Sequence, residues 1–466
     1  MINFFNFKKM GNDILITNDY GNYVFLQADE FRQLLNHTLP TDSHCYQDLV
    51  DKHFIIEGIS DLISPEIIDG LRDAKNYVFS ATSLHIIVVT NSCNLSCIYC
   101  QAKQVETGQC GFMSPEIACK SVDVALQSPA AHITLEFQGG EPLLNYPAIK
   151  AAIEHCELNK GTKGVDYTIV SNLVALTDQQ LSFFKVHHVM ISTSFDGPEY
   201  VHDHNRRISG INSSYSFVIN GIERLRNYGI LSGAIQTTTK YSLKYPIEIV
   251  DAYAKQQLPG IFLRPLSPLG IAQKHWSEVG YTAEEFLDFY KIAFHHILEI
   301  NYSGIVFPEF YATYLLKKIF NHYGYNYMEL RSPCGAALGQ LCYYYDGSVY
   351  TCDEGRMVAE SGDYAFKLGT VFHDNYNHLI QSEAAHSTCS ASITECIPGC
   401  CDCVYQPFCG VCPVVTYASE HDLLSKNAGN YRCTIQKGIL DLLFELLHSG
   451  DSKTIKCLKS WTGDKI

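Results

Sequence analysis

The chain has 466 residues, 46% hydrophobic and 18% charged, the composition of a globular protein long enough for two or three domains with sizeable cores. With 34 Lys and Arg against 49 Asp and Glu the formal charge is -15, which argues against nucleic acid as the main partner. No apolar run reaches the roughly 18 residues of a membrane span, and MINFFNFKKMGND lacks the pattern of a signal peptide, so a cytoplasmic chain without membrane contact is expected.

Residues 1–75 read as a small separate unit, with strands DILITND and NYVFLQ followed by helical patterns ADEFRQLLN and CYQDLVDKHFI. Over 80–275 the apolar strands LHIIVVT, HITLEFQGG, VDYTIVSNL, HVMISTSFDG, LSGAIQTTT and GIFLRPLSP alternate with helical stretches. Such alternation predicts parallel strands with crossover helices and functional residues just past the strand C-termini. Residues 276–330 form an expected helical connector, with EEFLDFYKIAFHHILEI the clearest amphipathic segment. From 331 to 440 the chain is rich in cysteine and loops around one hairpin, YYYDGSVYT, turned by Asp346-Gly347. A terminal helix and tail take up 441–466.

Nineteen cysteines in reducing surroundings favour metal or cluster ligation over disulfides. Cys93, Cys97 and Cys100 follow the first long apolar strand at spacings of four and three. Three thiolates can hold three corners of an iron-sulfur cube and leave the fourth iron free; spacing alone also allows a zinc site with a borrowed ligand. FQGGEPLL ends the next strand, where glycines permit close backbone approach and a carboxylate can accept from an ammonium group. IVSNL and STSFDGPEYVHDHNR end the two strands after that.

The cysteine spacing, with Tyr99 before the last cysteine, and the GGEP stretch one strand later resemble the signature of the radical S-adenosylmethionine (SAM) superfamily. The resemblance implies an α/β fold, a partial (β/α)6 TIM-like barrel, in which Cys93, Cys97 and Cys100 hold a [4Fe-4S] cluster whose open iron is chelated by SAM. It implies that Gly139, Gly140, Glu141 and Pro142 meet the methionine end of SAM and that Ser171 and Asn172 face the ribose or methionine region. Ser194 and Asp196 would lie near the sugar and Arg206 would pair with the SAM carboxylate. For Asp196-Gly197-Pro198 a tight turn is the equal alternative. The implied chemistry is reductive cleavage of SAM to a 5'-deoxyadenosyl radical that abstracts hydrogen from a substrate. The electron would come from a low-potential donor such as flavodoxin or ferredoxin.

The later cysteines resemble the SPASM extension of peptide-modifying radical SAM enzymes, with Cys334, Gly347, Cys352, Cys400, Cys403, Cys409, Cys412 and Cys433 fitting its pattern. By that resemblance Cys400, Cys403, Cys409 and Cys433 hold a distal auxiliary cluster, and Cys334, Cys352 and Cys412 a proximal one, making three [4Fe-4S] clusters in all. Two residues separate Cys409 from Cys412 where the common pattern has three, and the proximal site lacks a clean fourth cysteine. Either Cys342 completes it or one iron is open. A pair of zinc knuckles is the alternative for this field. Cys110, Cys396 and Cys401 have no assignment. Asp353, directly after Cys352, sits where related formylglycine-forming maturases carry a proton-accepting acid, with Glu354 beside it.

Residues 1–75 resemble a PqqD-like winged-helix recognition element, which binds a leader peptide by strand addition. Across nearly the whole chain, YGNYVFLQADEF, SPCGAALGQL, YTCDEGRM and CVYQPFCGVCPV are similar to the His-Xaa-Ser system radical SAM maturases. That implies an enzyme acting on a ribosomally made precursor peptide, favouring a side-chain carbon cross-link. Formylglycine formation and peptide epimerisation are the enzymatic alternatives, and a non-catalytic metal-binding peptide scaffold is the alternative of another class.

Overall fold

The computed structural model describes residues 1–463 apart from 103–109, 209, 211–212, 231, 327–328 and 425–426. The first strands, β1 (Asn6–Met10), β2 (Asp13–Thr17) and β3 (Tyr23–Gln27), form an antiparallel three-stranded sheet with helices Ala28–Leu35 and Tyr46–Asp51 on it. Sequence reading finds only two of these strands. NFKKM hides the third because its lysines leave no apolar alternation, and Lys8 reaches across to pair with Asp441 in the C-terminal region.

The next strands are β4 (Leu84–Thr90), β5 (Ser96–Cys97), β6 (His132–Gly139), β7 (Gly164–Ser171), β8 (Met190–Ser194), β9 (Arg206–Arg207), β10 (Ser232–Thr237) and β11 (Leu263–Arg264). Six of them, β4, β6, β7, β8, β10 and β11, pair in parallel in that spatial order, as the alternation predicts. Helices connect them, and β4 does not pair with β11, so the sheet remains an open, partial barrel. The short pair β5–β9 stands apart and ties the first cysteine loop to Arg206.

The last strands are β12 (Gln340–Tyr343), β13 (Ser348–Tyr350) and β14 (Lys367–Thr370). β12 pairs in parallel with β4, so the cysteine-rich hairpin extends the barrel sheet to nine strands instead of folding as a unit of its own. The reason is that β4 is buried along its entire length and needs a partner on both edges. One helix runs Tyr431–His448, across residue 440, and places Cys433 in its first turn.

The connector is helical as expected, with helices Ala283–Tyr302 and Phe310–Asn321. Glu309 caps the second and is buried, accepting from Leu263 N (3.1 Å), Ala312 N (2.6 Å) and the Tyr290 hydroxyl (2.6 Å). Burial outweighs these donors and pushes its carboxyl from 4.5 up to about 7. The folded chain therefore holds this proton over a window where the unfolded chain has lost it, and the associated stability falls as pH rises from about 4.5 to about 7. The drop in thermal midpoint between pH 5 and pH 8 should be smaller in Glu309→Gln than in wild type.

Candidate active site

β4 delivers the chain at Thr90 into the loop that carries Cys93, Cys97 and Cys100. The end of β6 lies directly against that loop: Gly140 N donates to Thr90 O (2.9 Å) and Glu141 N to Ser92 O (2.8 Å). A Cβ on Gly139 would stand 2.2 Å from Thr90 O, and one on Gly140 2.3 Å from Ser92 O. The glycines thus serve close backbone approach, but the backbone they meet is that of the cysteine loop. Pro142 opens a single turn, Pro142–Asn145, whose Asn145 amide donates to Val89 O and Met113 O.

Glu141 is held in place by donors of the protein itself. Its buried carboxylate accepts from Leu143 N (3.0 Å), the Ser171 hydroxyl (2.8 Å) and Asn172 N (2.8 Å), and burial pushes it up to about 7 despite these bonds. It binds the ends of β6 and β7 together. Ser171 is committed to Glu141, while the Asn172 amide donates to Asn94 Oδ1 (2.8 Å) and approaches Cys93 Sγ at 3.8 Å. Ser194 ends β8 half-buried.

Asp196 and Arg206 are bonded to each other. Asp196 is fully buried and accepts from Tyr99 Oη (2.9 Å), Asn205 Nδ2 (3.2 Å), Arg206 Nη2 (3.1 Å) and Thr237 N (3.2 Å), so it braces protein rather than a sugar. Burial alone would lower the Arg206 pKa; the Asp196 carboxylate more than offsets that and keeps the guanidinium charged. Arg206 lies over the Tyr99 ring at 5.3 Å, and its strand pairs with Cys97. Its Nε is 3.1 Å from Asp196 Oδ2 yet off the hydrogen-bond line, leaving a buried donor without an acceptor beside the cysteine loop.

Cys334, Cys352 and Cys412 pack together in one buried cluster with Leu269, Val358, Phe366, Val414 and Val415. Cys342 lies elsewhere, fully buried in β12 among Leu84, Ile86, Val88 and Tyr350, with its Sγ 4.0 Å from Asp353 Oδ1. Cys400, Cys403, Cys409 and Cys433 line a second pocket with Gln436 and Lys437. Gly355 N points at Cys352 Sγ and Leu95 N at Cys93 Sγ, each at 3.3 Å. Burial pushes the Cys97, Cys409 and Cys412 thiols up to about 12.

Asp353 begins the helix Asp353–Ala359 and is held by Arg356 Nη2 at 2.5 Å and Nε at 3.1 Å. With Glu354 it lines a cavity of about 530 Å³ inside the barrel. The same cavity is lined by Gln101, next to Cys100 in sequence, and by Arg432, next to Cys433, so chain neighbours of all three cysteine groups line one space. Sequence reasoning missed Glu136 and Gln138 on its wall. Along β6, Ile133, Leu135 and Phe137 are buried while Thr134, Glu136 and Gln138 alternate with them, a polar face that signals an inward-facing wall. Glu136 is raised by burial and takes bonds from Gln138 (2.5 Å) and Thr168 (3.3 Å). Arg264, 3.8 Å from Glu354, and the Glu329–Arg432 pair complete the charged lining.

The donor sets fit iron-sulfur clusters better than zinc. Tetrahedral thiolates around one zinc stand about 3.8 Å apart. Among the described residues the one set of three possible metal-ligand atoms within 4.8 Å of one another is Glu30, His44 and Cys45, so the cysteine groups stand wider than a single zinc requires. Wider thiol spacing and an unsatisfied arginine N–H at the first loop suit a cluster and an anionic ligand on it.

The fold is α/β with a mixed sheet, similar to that of radical SAM enzymes. Residues 87–251 match the family described as the Radical SAM superfamily, which implies a [4Fe-4S] cluster and SAM. The chain is 23% identical over 380 residues to the serine-type anaerobic sulfatase-maturating enzyme of Bacteroides thetaiotaomicron, covering 77% of this chain and 89% of that one. Its fold superposes on anSMEcpe with bound AdoMet at a TM-score of 0.69, with 19% identity, covering 81% of this chain and 99% of the other. Streptococcus suis SuiB bound to precursor peptide SuiA superposes at 0.54, with 13% identity, covering 91% and 98%. The cysteine-rich C-terminal region is consistent with a SPASM extension.

Asp196→Asn keeps the shape of the acid but leaves Arg206 buried without its countercharge. Denaturant unfolding should show a loss of about 3–5 kcal/mol, and Asp196→Asn/Arg206→Gln should lose less than Asp196→Asn alone.

Proposed function

We propose that this chain is a radical SAM enzyme that modifies a ribosomally made precursor peptide by joining a side-chain carbon to a neighbouring side chain. The observation that carries this reading is the single 530 Å³ cavity bordered by residues adjacent to all three cysteine groups. A peptide side chain seated there lies between the proposed site of hydrogen abstraction and the proposed electron acceptors. Bound SAM and its cluster would supply a carbon-centred radical, with the electron provided by an external low-potential donor.

In this reading Cys93, Cys97 and Cys100 hold the first cluster, and Cys400, Cys403, Cys409 and Cys433 the distal one. Cys334, Cys352 and Cys412 hold the proximal one with one iron open, because Cys342 is locked in β12 away from them. The orphaned Arg206 Nε–H is aimed for the SAM carboxylate, with Asp196 fixing the guanidinium. Gly139, Gly140, Glu141, Asn172 and Ser171 hold the cysteine loop in place. Closing a bond on a radical carbon requires loss of one electron and one proton; Asp353 on the cavity wall accepts the proton, with Arg356 steadying the carboxylate. The three-stranded unit at residues 1–75 binds the leader of the precursor. The chain acts in the cytoplasm.

A second reading, oxidation of serine or cysteine to formylglycine, is favoured by the sulfatase-maturating relative and by the position of Asp353 after Cys352. Incubation with precursor, SAM and dithionite separates the two. A cross-link removes two hydrogens per bond and leaves the peptide inert to hydrazides; formylglycine from serine has the same mass change and reacts with them.

Replacing Cys93, Cys97 and Cys100 together by Ala should remove about four irons per chain and abolish 5'-deoxyadenosine formation; retained formation overturns the proposal. Cys342→Ala should keep the full iron content, and in wild type the precursor should perturb the EPR signal of the proximal cluster. Iron loss in that variant would make Cys342 a ligand.

A further inference from the structure

We infer that Glu30, His44 and Cys45 form a mononuclear zinc site in the N-terminal unit, separate from the cysteine groups of the barrel and C-terminal region. Glu30 lies in the first turn of Ala28–Leu35, and His44 and Cys45 lead into Tyr46–Asp51, so the site closes the gap between two helix starts. Their ligand atoms all lie within 4.8 Å of one another. Glu30 Oε1 is 3.1 Å from His44 Nδ1 and 3.5 Å from Cys45 Sγ. Around a tetrahedral zinc with ordinary bond lengths those edges are about 3.3 Å and about 3.5 Å.

The surroundings suit a metal for three reasons. The ligand atoms are a carboxylate, an imidazole and a thiol, a combination that zinc accepts, with a water left to complete the tetrahedron. The other Glu30 oxygen, Oε2, is held by Gln27 N at 2.8 Å, which fixes the carboxylate so that Oε1 faces the other two groups. Cys45 is 4% exposed and Glu30 has a side chain 13% exposed, so an acid and a thiol are buried side by side. Among the described residues the ion-pair partner of Glu30 is the exposed His44 alone.

Neither the proposed peptide chemistry nor the iron content depends on this site. Its role is to pin the two helices against the three-stranded sheet, where Cys45 packs with Phe31, Leu34 and Leu49.

The test uses the full chain loaded anaerobically with iron, titrated with Zn²⁺ against a chromophoric chelator, with zinc and iron counted per chain. Wild type should bind one zinc more than His44→Ala and Cys45→Ser, at equal iron in all three. Each substitution should weaken that zinc by more than the roughly 10- to 100-fold typical of losing an outer-shell partner. Co²⁺ in place of Zn²⁺ should give a thiolate charge-transfer band in wild type that is absent from Cys45→Ser. His44 is on the surface, so His44→Ala tests the site even where Cys45→Ser fails to fold. Equal zinc in wild type and His44→Ala, with no cobalt–thiolate band, would reduce the cluster to an ion pair and an S–H···O hydrogen bond and overturn the inference.

Discussion

The carboxylate of Asp196 is the constraint on which the candidate site depends. One buried acid takes donors from the first cysteine loop through Tyr99, from the helix after β8 through Asn205, from β9 through Arg206 and from the end of β10 through Thr237. A charge with no access to water has to be satisfied by protein, and satisfying it brings three separated segments to one point. β5 and β9 then have only two residues each to pair, yet they hold Cys97 beside Arg206 because both ends are already fixed. Glu141 acts similarly one strand away, joining β6 to β7 and, through Asn172, to Asn94.

The open barrel creates a second constraint. A parallel strand buried on both faces cannot leave an edge bare, and β4 meets that need by pairing with β12 from the cysteine-rich region. The pairing carries Cys342 into the sheet at Ile86 and puts Asp353 at the cavity wall just after β13. It also separates Cys342 from Cys334, Cys352 and Cys412, because a residue held in register on both sides cannot turn towards them. Sheet completion thus decides which thiols come together.

The N-terminal unit is joined to the distal cysteine loop by backbone recognition. Asn6 Nδ2 donates to Cys401 O at 3.0 Å and Cys403 O at 3.2 Å, and Thr17 Oγ1 donates to Val404 O at 2.6 Å. Tyr405 in turn stacks on Phe444 of the long terminal helix, against which Tyr23 of β3 also packs. Loop 401–405 is short of backbone partners of its own, and side chains from the first sheet supply them.

Local pattern was enough to determine the alternating strands from 84 to 270, the hairpin turn at Asp346-Gly347 and the grouping of most cysteines. Each rests on periodicity or spacing within a few residues, which folding cannot alter. The resemblance to radical SAM sequences singled out Glu141, Asn172, Asp196 and Arg206, though it did not say what they touch. Tertiary structure decided that: these polar groups spend most of their hydrogen-bonding capacity on one another and on the cysteine loop, because residues far apart in the chain converge where water is excluded. The polar inner face of β6 shows in its alternation, whereas the union of β12 with β4 and the isolation of Cys342 have no local signature. Each depends on which strand lies alongside, and that choice is made only when buried edges and buried charges must all be satisfied at once.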